Sequence, residues 1–258
     1  MLLNIVVCVK ITFDISLIGV DSVTRAPIFR DVPFKISDFD LNAIEEAVRL
    51  KERHGGKVTS VSVGPIERKD SIKRALAMGV DEAYFVAIDQ TTNLDSLQVA
   101  EILHAVLRRL SADTIICGEG SVDEYNSQIG PRLSELLGIP VVAYASKVEI
   151  TDRTVTAERS LERIKQTVRC NLPLILSVGS EINEPRFPTL LQIMGASKKP
   201  IKVLTTNDLE VSLEETPALS ILDISAPESR RRRIRIEGDA ETAARKLVAN
   251  LVQEGVLT

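Results

Sequence analysis

Along the first 140 residues the hydrophobic positions alternate between two rhythms. Short, nearly unbroken apolar runs recur: "LLNIVVCV" at the start, then "KVTSVSVG", "EAYFVAI" and "DTIICG". Runs of this length without polar alternation predict strands buried on both faces. Between them lie segments with apolar residues three and four apart. "DLNAIEEAVRLKERHGG" places Leu41, Ile44, Ala47 and Val48 on one helical face, with Asp40 as the expected cap and Gly55 as the stop. "ERKDSIKRALAMGV" and "SLQVAEILHAVLRRL" predict two more helices, and "NSQIGPRLSELLGI" a helix broken early by Pro131. Strand and helix in alternation predict an α/β fold, a doubly wound parallel sheet covered on both sides.

After Pro140 the texture changes. "VVAYASKVEI", "RTVTAERS" and "IKQTVRCNL" are short, β-branched and partly alternating, which predicts an antiparallel region added to the sheet. "LPLILSVGS" reads as a further core strand. From Asn183 onward prolines are frequent and long periodic segments few, so residues 183–239 are expected as an extended arm that wraps a partner. "DAETAARKLVANLVQEGV" closes the chain as one amphipathic helix. The expected organisation is an α/β domain over residues 1–182, the arm over 183–239 and the helix over 240–258.

Composition narrows the function. Of 258 residues 44% are hydrophobic and 26% charged, and no apolar stretch approaches the roughly 18 residues that span a bilayer, so no direct membrane insertion is expected. The first ten residues have no basic n-region and run straight into patterned sequence, which points to the cytoplasm. A net charge of −4 with no tryptophan argues against nucleic acid as a partner. The run "RRRRIR", Arg230 to Arg235, reads as a solvated or partner-facing segment. Three cysteines far apart signal neither a disulfide framework nor a zinc site. His54 and His104 lack a neighbouring nucleophile or ligand and read as structural. No Walker loop, G-x-G-x-x-G fingerprint, G-x-S-x-G elbow or H-E-x-x-H motif occurs.

What remains is "GEGSVDEYNSQIGP", Gly118 to Pro131, between the fourth strand and its helix. In open parallel sheets ligands bind beyond the carboxyl ends of the strands, where strand order reverses. Cys8 to Lys10, Val63 to Pro65 and this loop are the places such a site occupies. Gly118 and Gly120 allow a close backbone approach, and the amides of Asn126, Ser127, Gln128 and Ile129, expected in the first helical turn, favour a phosphate. An adenine nucleotide is the natural ligand. Asp123 and Glu124 suit either a ribose hydroxyl or the capping of that helix.

Taken with "KISDFDLNAIEEAVRLKE", "VTSVSVGP", "ALAMGVDEAYFV" and "SEINEPRFPTLLQIMGASKKPIKV", in that order and spacing, the loop resembles that of electron transfer flavoprotein beta subunits. The resemblance covers residues 4 to about 250 and is strongest in the N-E-P-R-F-x-T-L-x-x-I-M segment. "KISDFDLNAIE", "KKP" and "RRRRIRIEGD" look most like the Fix branch of that family, which is associated with nitrogen fixation and carnitine metabolism.

The resemblance implies a sheet of the adenine-nucleotide-binding type with a C-terminal partner-embracing arm. It also implies a heterodimer with an alpha subunit that carries FAD. The beta subunit then holds AMP in simple carriers, or a second FAD reduced by NAD(H) in electron-bifurcating forms. Carried over by position, the cofactor-binding residues are Cys8, Ser37, Asp38, Phe39, Asp40, Val63 and the loop Gly118, Glu119, Gly120, Ser121, Val122, Asp123, Glu124, Tyr125, Asn126, Ser127, Gln128 and Ile129. AMP-binding carriers end this loop in N-Q-T-G, whose hydroxyl reaches the phosphate, and bifurcating members in Q-V-G-P. The present Gln128, Ile129, Gly130 and Pro131 resemble the second. Bifurcation implies FAD here, NADH as donor, ferredoxin or flavodoxin as low-potential acceptor, and a quinone-oxidoreductase-like flavoprotein or acyl-CoA dehydrogenase as the other redox partner. Such a chain has NADH-oxidising activity only with its partners, and reaches a membrane only through one of them. Ile182, Asn183, Glu184, Pro185 and Arg186 match the family's partner-docking loop. One departure is the turn holding Arg163 and Ile164, where many members have paired glycines. A simple AMP-holding carrier, or a universal-stress-type adenine-nucleotide module, would carry a similar glycine loop.

Overall fold

A computed structural model describes residues 2–89, 94–213, 217–228 and 233–257. Besides two small two-stranded sheets within residues 11–36, the strands are β1 (Leu3–Cys8), β2 (Gly56–Pro65), β3 (Glu82–Ile88), β4 (Thr114–Gly118), β5 (Val141–Thr151), β6 (Thr154–Ser160), β7 (Lys165–Asn171), β8 (Leu174–Val178) and β9 (Ile201–Thr205). The helices are α1 (Asp38–His54), α2 (Lys73–Met78), α3 (Ser96–Leu107), α4 (Ile129–Leu137), α5 (Leu190–Ala196) and α6 (Ala240–Gln253). These nine strands form one sheet in the order β7-β6-β5-β8-β4-β1-β2-β3-β9. Neighbours from β5 to β9 run parallel, and β5, β6 and β7 pair antiparallel.

The side-chain alternation of β1 shows why helices cover both faces. Leu3, Ile5 and Val7 enter one apolar cluster with Ile44, Ala47 and Val48 of α1 and Leu76 of α2. Val6 and Cys8 enter the other, with Ile102, Leu103 and Val106 of α3 and Leu133 of α4. A strand with neither face in water has no use for polar alternation, which is why its sequence is an apolar run. The chain passes through β1, β2 and β3 toward one edge and then returns to set β4 on the other side of β1. Strand order therefore reverses between β1 and β4.

Four local expectations need correction. α1 is capped at Ser37, so Asp40 sits inside its first turn and faces the protein. Residues 66–72 wind as a 3-10 segment before α2, so the expected single helix is divided. Pro131 does not break α4: it is the third residue of a helix starting at Ile129, a position where the missing N–H has no intrahelical partner to lose. Residues 190–205 are not irregular. Thr189 and Gln192 form a capping box that starts α5, and β9 then pairs with β3 as an edge strand of the main sheet. Seven residues of helix and five of strand are too short for periodicity to announce them among prolines. The turn of Arg163 and Ile164 joins β6 to β7, where the Leu161 amide donates to the Ile164 carbonyl. Arg230, Arg231 and Arg232 lie outside the described residues.

Candidate functional site

The reversal point is closed by one carboxylate. Asp40 Oδ2 accepts from the Lys10 amide at 2.7 Å, where the chain leaves β1, and Oδ1 accepts from the Gly118 amide at 3.1 Å, at the end of β4. Burial pushes the Asp40 carboxyl up to about 7, although both amides donate to it. A Cβ on Gly118 would stand 2.6 Å from Asp40 Oδ1 and 2.8 Å from the Phe39 Cβ. The glycine is therefore required by the protein's own side chains, not by approach to a ligand. Ser37 adds a second tie, its Oγ accepting from the Val122 amide at 3.3 Å.

The loop is organised by its own residues. Tyr125 and Ser127 both take positive φ, 46° and 56°. Tyr125 stacks beside Phe39 at 5.5 Å and donates its hydroxyl to Glu119 Oε1 at 2.6 Å. Its ring occupies the space a Cβ on Gly120 would need. Lys10 Nζ reaches Asp123 at 3.0 Å, Glu124 at 3.1 Å and Ser121 Oγ at 3.3 Å. Burial works to raise the Asp123 pKa, but Lys10, the Ser121 hydroxyl and the residue's own amide together hold the carboxylate below its ordinary range. Gln128 Oε1 accepts from Ser96 Oγ at 2.5 Å and from the Arg132 guanidinium at 3.0 Å. Because α4 starts at Ile129, Asn126 to Gln128 belong to the loop and not to the first turn. The leading helix amides are those of Ile129 and Gly130, since Pro131 has none.

Between this loop, the end of β1 and the end of β2 lies a cleft of about 1180 Å³. Cys8, Asp40, Val63, Gly118, Glu119, Gly120, Ser121, Glu124, Asn126, Ser127, Gln128 and Ile129 line it. Ser37, Asp38, Phe39, Val122, Asp123 and Tyr125 do not line it; Asp38 is exposed and pairs with Lys35 at 3.1 Å. Burial pushes the Cys117 thiol up to about 12 and raises Cys8 as well, so neither is a thiolate at neutral pH. Among the described residues no group of His, Cys, Asp and Glu side chains is arranged to hold a metal. The site offers amides, hydroxyls and an apolar floor, which suits holding a cofactor better than acid–base or nucleophilic work.

Sequence reasoning missed three parts of this cleft. Ser96 and Gln98 enter it from the start of α3, Arg68 from the segment after β2, and Phe29 from the chain between β1 and α1. Residues 219–224 cross its mouth. The arm is held at one end by the Leu219 amide on Asp95 Oδ2, 3.2 Å. At the other end the Ala226 amide donates to the Arg25 carbonyl at 2.9 Å, and the Arg25 guanidinium donates back to the Ala226 carbonyl. Ser96 and Gln98 belong to a helix that the spacing predicts, but Arg68, Phe29 and residues 219–224 come from short or irregular segments that carry no periodic signal.

The docking segment divides into an inner and an outer part. Asn183 exchanges hydrogen bonds with Asn42 of α1, at 2.7 and 3.0 Å through the two side-chain amides. Arg186 spans Glu45 at 2.7 Å and Glu52 at 2.5 Å, and these carboxylates raise its pKa well above the ordinary value. The Glu184 carbonyl accepts from Arg49, Pro185 is half-buried, and Ile182 is packed against the core. The residues that stand out into solvent come next in sequence: Phe187 is 84% exposed, Leu191 81% and Met194 62%.

The electron transfer flavoprotein domain family matches residues 28–209. The electron transfer flavoprotein subunit beta of Thermoanaerobacterium thermosaccharolyticum is 34% identical over 99% of this chain and 100% of its own length. That of Bacillus subtilis is 35% identical over 85% of this chain and 86% of its own.

Proposed function

Since the chain belongs to the electron transfer flavoprotein family, as a beta subunit, we propose that its cleft holds FAD and that it bifurcates electrons in a heterodimer with an FAD-carrying alpha subunit. That membership sets the universal-stress-type module aside. NADH is the donor, one electron passing toward the alpha-subunit flavin and a quinone-linked or dehydrogenase partner, the other to ferredoxin or flavodoxin. The assembly works in the cytoplasm. The observation that carries this reading is Ile129. It is the first residue of α4 and lines the cleft, and its apolar branched side chain has no hydroxyl for a lone phosphate. The cleft volume, beyond the roughly 300–1,000 Å³ usual for small-molecule sites, accords with a dinucleotide.

The residues fit such a group. Ile129, which opens α4 and lines the cleft, would offer its amide to a phosphate of the ligand, with the helix dipole behind it. Cys8, Val63 and Cys117 supply an apolar floor for an adenine ring. Asp40 and Ser37 keep the β1 and β4 ends at a fixed separation, so the ligand meets a preformed wall. When bound, the flavin supplies the redox chemistry, accepting a hydride and releasing its electrons singly. The chain's own residues bind, orient and exclude water.

A second reading, a simple carrier with structural AMP, is favoured by the Ser96 hydroxyl that sits against Gln128 beside the helix start. Cofactor extraction from the co-expressed heterodimer separates the two. Two FAD per heterodimer, with the second bleached by NADH, is expected; one FAD with one AMP and no NADH bleaching overturns bifurcation.

A further inference from the structure

Arg68 lies just beyond the end of β2 and lines the same cavity as the glycine loop. Its guanidinium is mounted on two aromatic rings, 4.8 Å from the centre of Phe34 and 5.4 Å from that of Phe13. Phe13 itself stacks on Phe29 and Phe34, at 4.9 and 4.7 Å. One terminal nitrogen donates to the Ile11 carbonyl at 3.1 Å, and Nε is buried with no acceptor. Among the described residues no carboxylate pairs with it. Asp123 and Glu67 act on it only at a distance, and burial lowers its pKa.

Such an arrangement is unusual for an arginine. The side chain has five N–H donors in a planar fork, and an unpaired buried donor in a native protein needs an explanation. The two rings and the Ile11 carbonyl hold the guanidinium in place beside the cleft with its charge unmatched by a carboxylate, an arrangement that suits an anion. A purely structural arginine in this position would have its charge matched by a carboxylate, as Arg186 has in Glu45 and Glu52. Lys10, the other cation of the cleft, is already taken by Asp123 and Glu124.

We infer that Arg68 is the charged anchor of the cleft's ligand and takes one of its phosphate groups. The inference rests on the cleft being the nucleotide site proposed above. It assigns the segment after β2 a role that the loop residues do not have. The helix end supplies neutral amides, Arg68 the formal positive charge.

The test uses the heterodimer freed of the cleft's ligand, with wild type, Arg68→Gln and Arg68→Lys titrated with adenosine, AMP and ADP by calorimetry. A charge-assisted contact to phosphate predicts that R68Q weakens AMP or ADP by roughly tenfold or more. Adenosine is expected to change less than about threefold, and R68K to recover part of the loss. If R68Q weakens adenosine and the phosphorylated ligands equally, or weakens none of them, Arg68 is a structural residue and the inference falls while the nucleotide site stands. If the wild type binds none of the three, both fall. Thermal melts of each ligand-free variant identify any loss that comes from misfolding, and R68K, which keeps the charge, then decides the case.

Discussion

Asp40 is where one side chain fixes the geometry of the site. Its two oxygens hold the Lys10 and Gly118 amides, 30 and 78 residues away in sequence. An amide in its place has one oxygen and would turn N–H toward an N–H. Asp40→Asn is therefore expected to cost about 1–3 kcal/mol, read from denaturant melts. The pH dependence has a definite sign. The folded-state pKa, about 7, lies above the unfolded value near 4, so the folded protein holds the extra proton between the two. The contribution of Asp40 is fully present below about pH 4 and lost as pH rises through 7. Wild type should thus lose its advantage over Asp40→Asn by on the order of 2 kcal/mol between pH 5 and 8, and a gap that widens instead contradicts the assignment. At Gly118 an added methyl meets Asp40 and Phe39 under 3 Å. Gly118→Ala should cost about 1–3 kcal/mol by overpacking and weaken nucleotide binding, which melts and calorimetry check together. Gly118 was legible in the sequence, but its reason was not: the clashing atoms come from α1, and no local pattern connects the two segments.

At the scale of elements, α3 links the sheet, the cleft and the arm. Asp95 caps it by accepting from the Leu97 and Gln98 amides at 2.8 and 2.9 Å, with Gln98 returning a bond to the Asp95 amide. Its other oxygen takes the Leu219 amide of the arm. The Gln98 amide first, and the others with it, hold the Asp95 carboxyl below its ordinary range. A lowered folded-state pKa gives stability that is present above about pH 4 and lost as pH falls through the folded value. Asp95→Ala should cost about 1 kcal/mol at neutral pH, a loss that shrinks below pH 4, and should make residues 217–228 more sensitive to protease. Unchanged proteolysis in that variant would mean that Asp95 does not hold the arm. The capping box here, Asp95 with Gln98, has a sequence spacing that propensity rules recognise. The bond to Leu219 spans 124 residues and has none.

Across the whole molecule the distribution of apolar surface is uneven. Within the sheet region β1, β4 and β8 are buried almost throughout. Beyond it, Phe187, Leu191 and Leu222 are at least 81% exposed, and none of the described residues of α6 is buried. Leu247, Val248 and Val252 of that helix are about half exposed and face no part of this chain's core. Patches of this kind mark surfaces that another chain covers. The chain expressed alone should self-associate in light scattering, and co-expression with an alpha subunit should give a single heterodimer peak. A monodisperse monomer of the chain alone would show that these surfaces need no partner.

The parallel sheet, its helices and the position of the Gly118 to Pro131 loop after the fourth strand were determined by the sequence itself, because burial on both faces leaves apolar runs, helical faces leave a three-to-four spacing, and both are local. The strand and helix at 190–205 were hidden because they are short and flanked by prolines. What only the tertiary structure decided is which distant residues meet at the strand reversal: Asp40 with Lys10 and Gly118, the arm with Asp95 and Arg25, and Arg68 on its aromatic bed. Contacts of that sort are chosen by the closing of the sheet around β1, and a linear pattern carries no record of which loops that closure brings together.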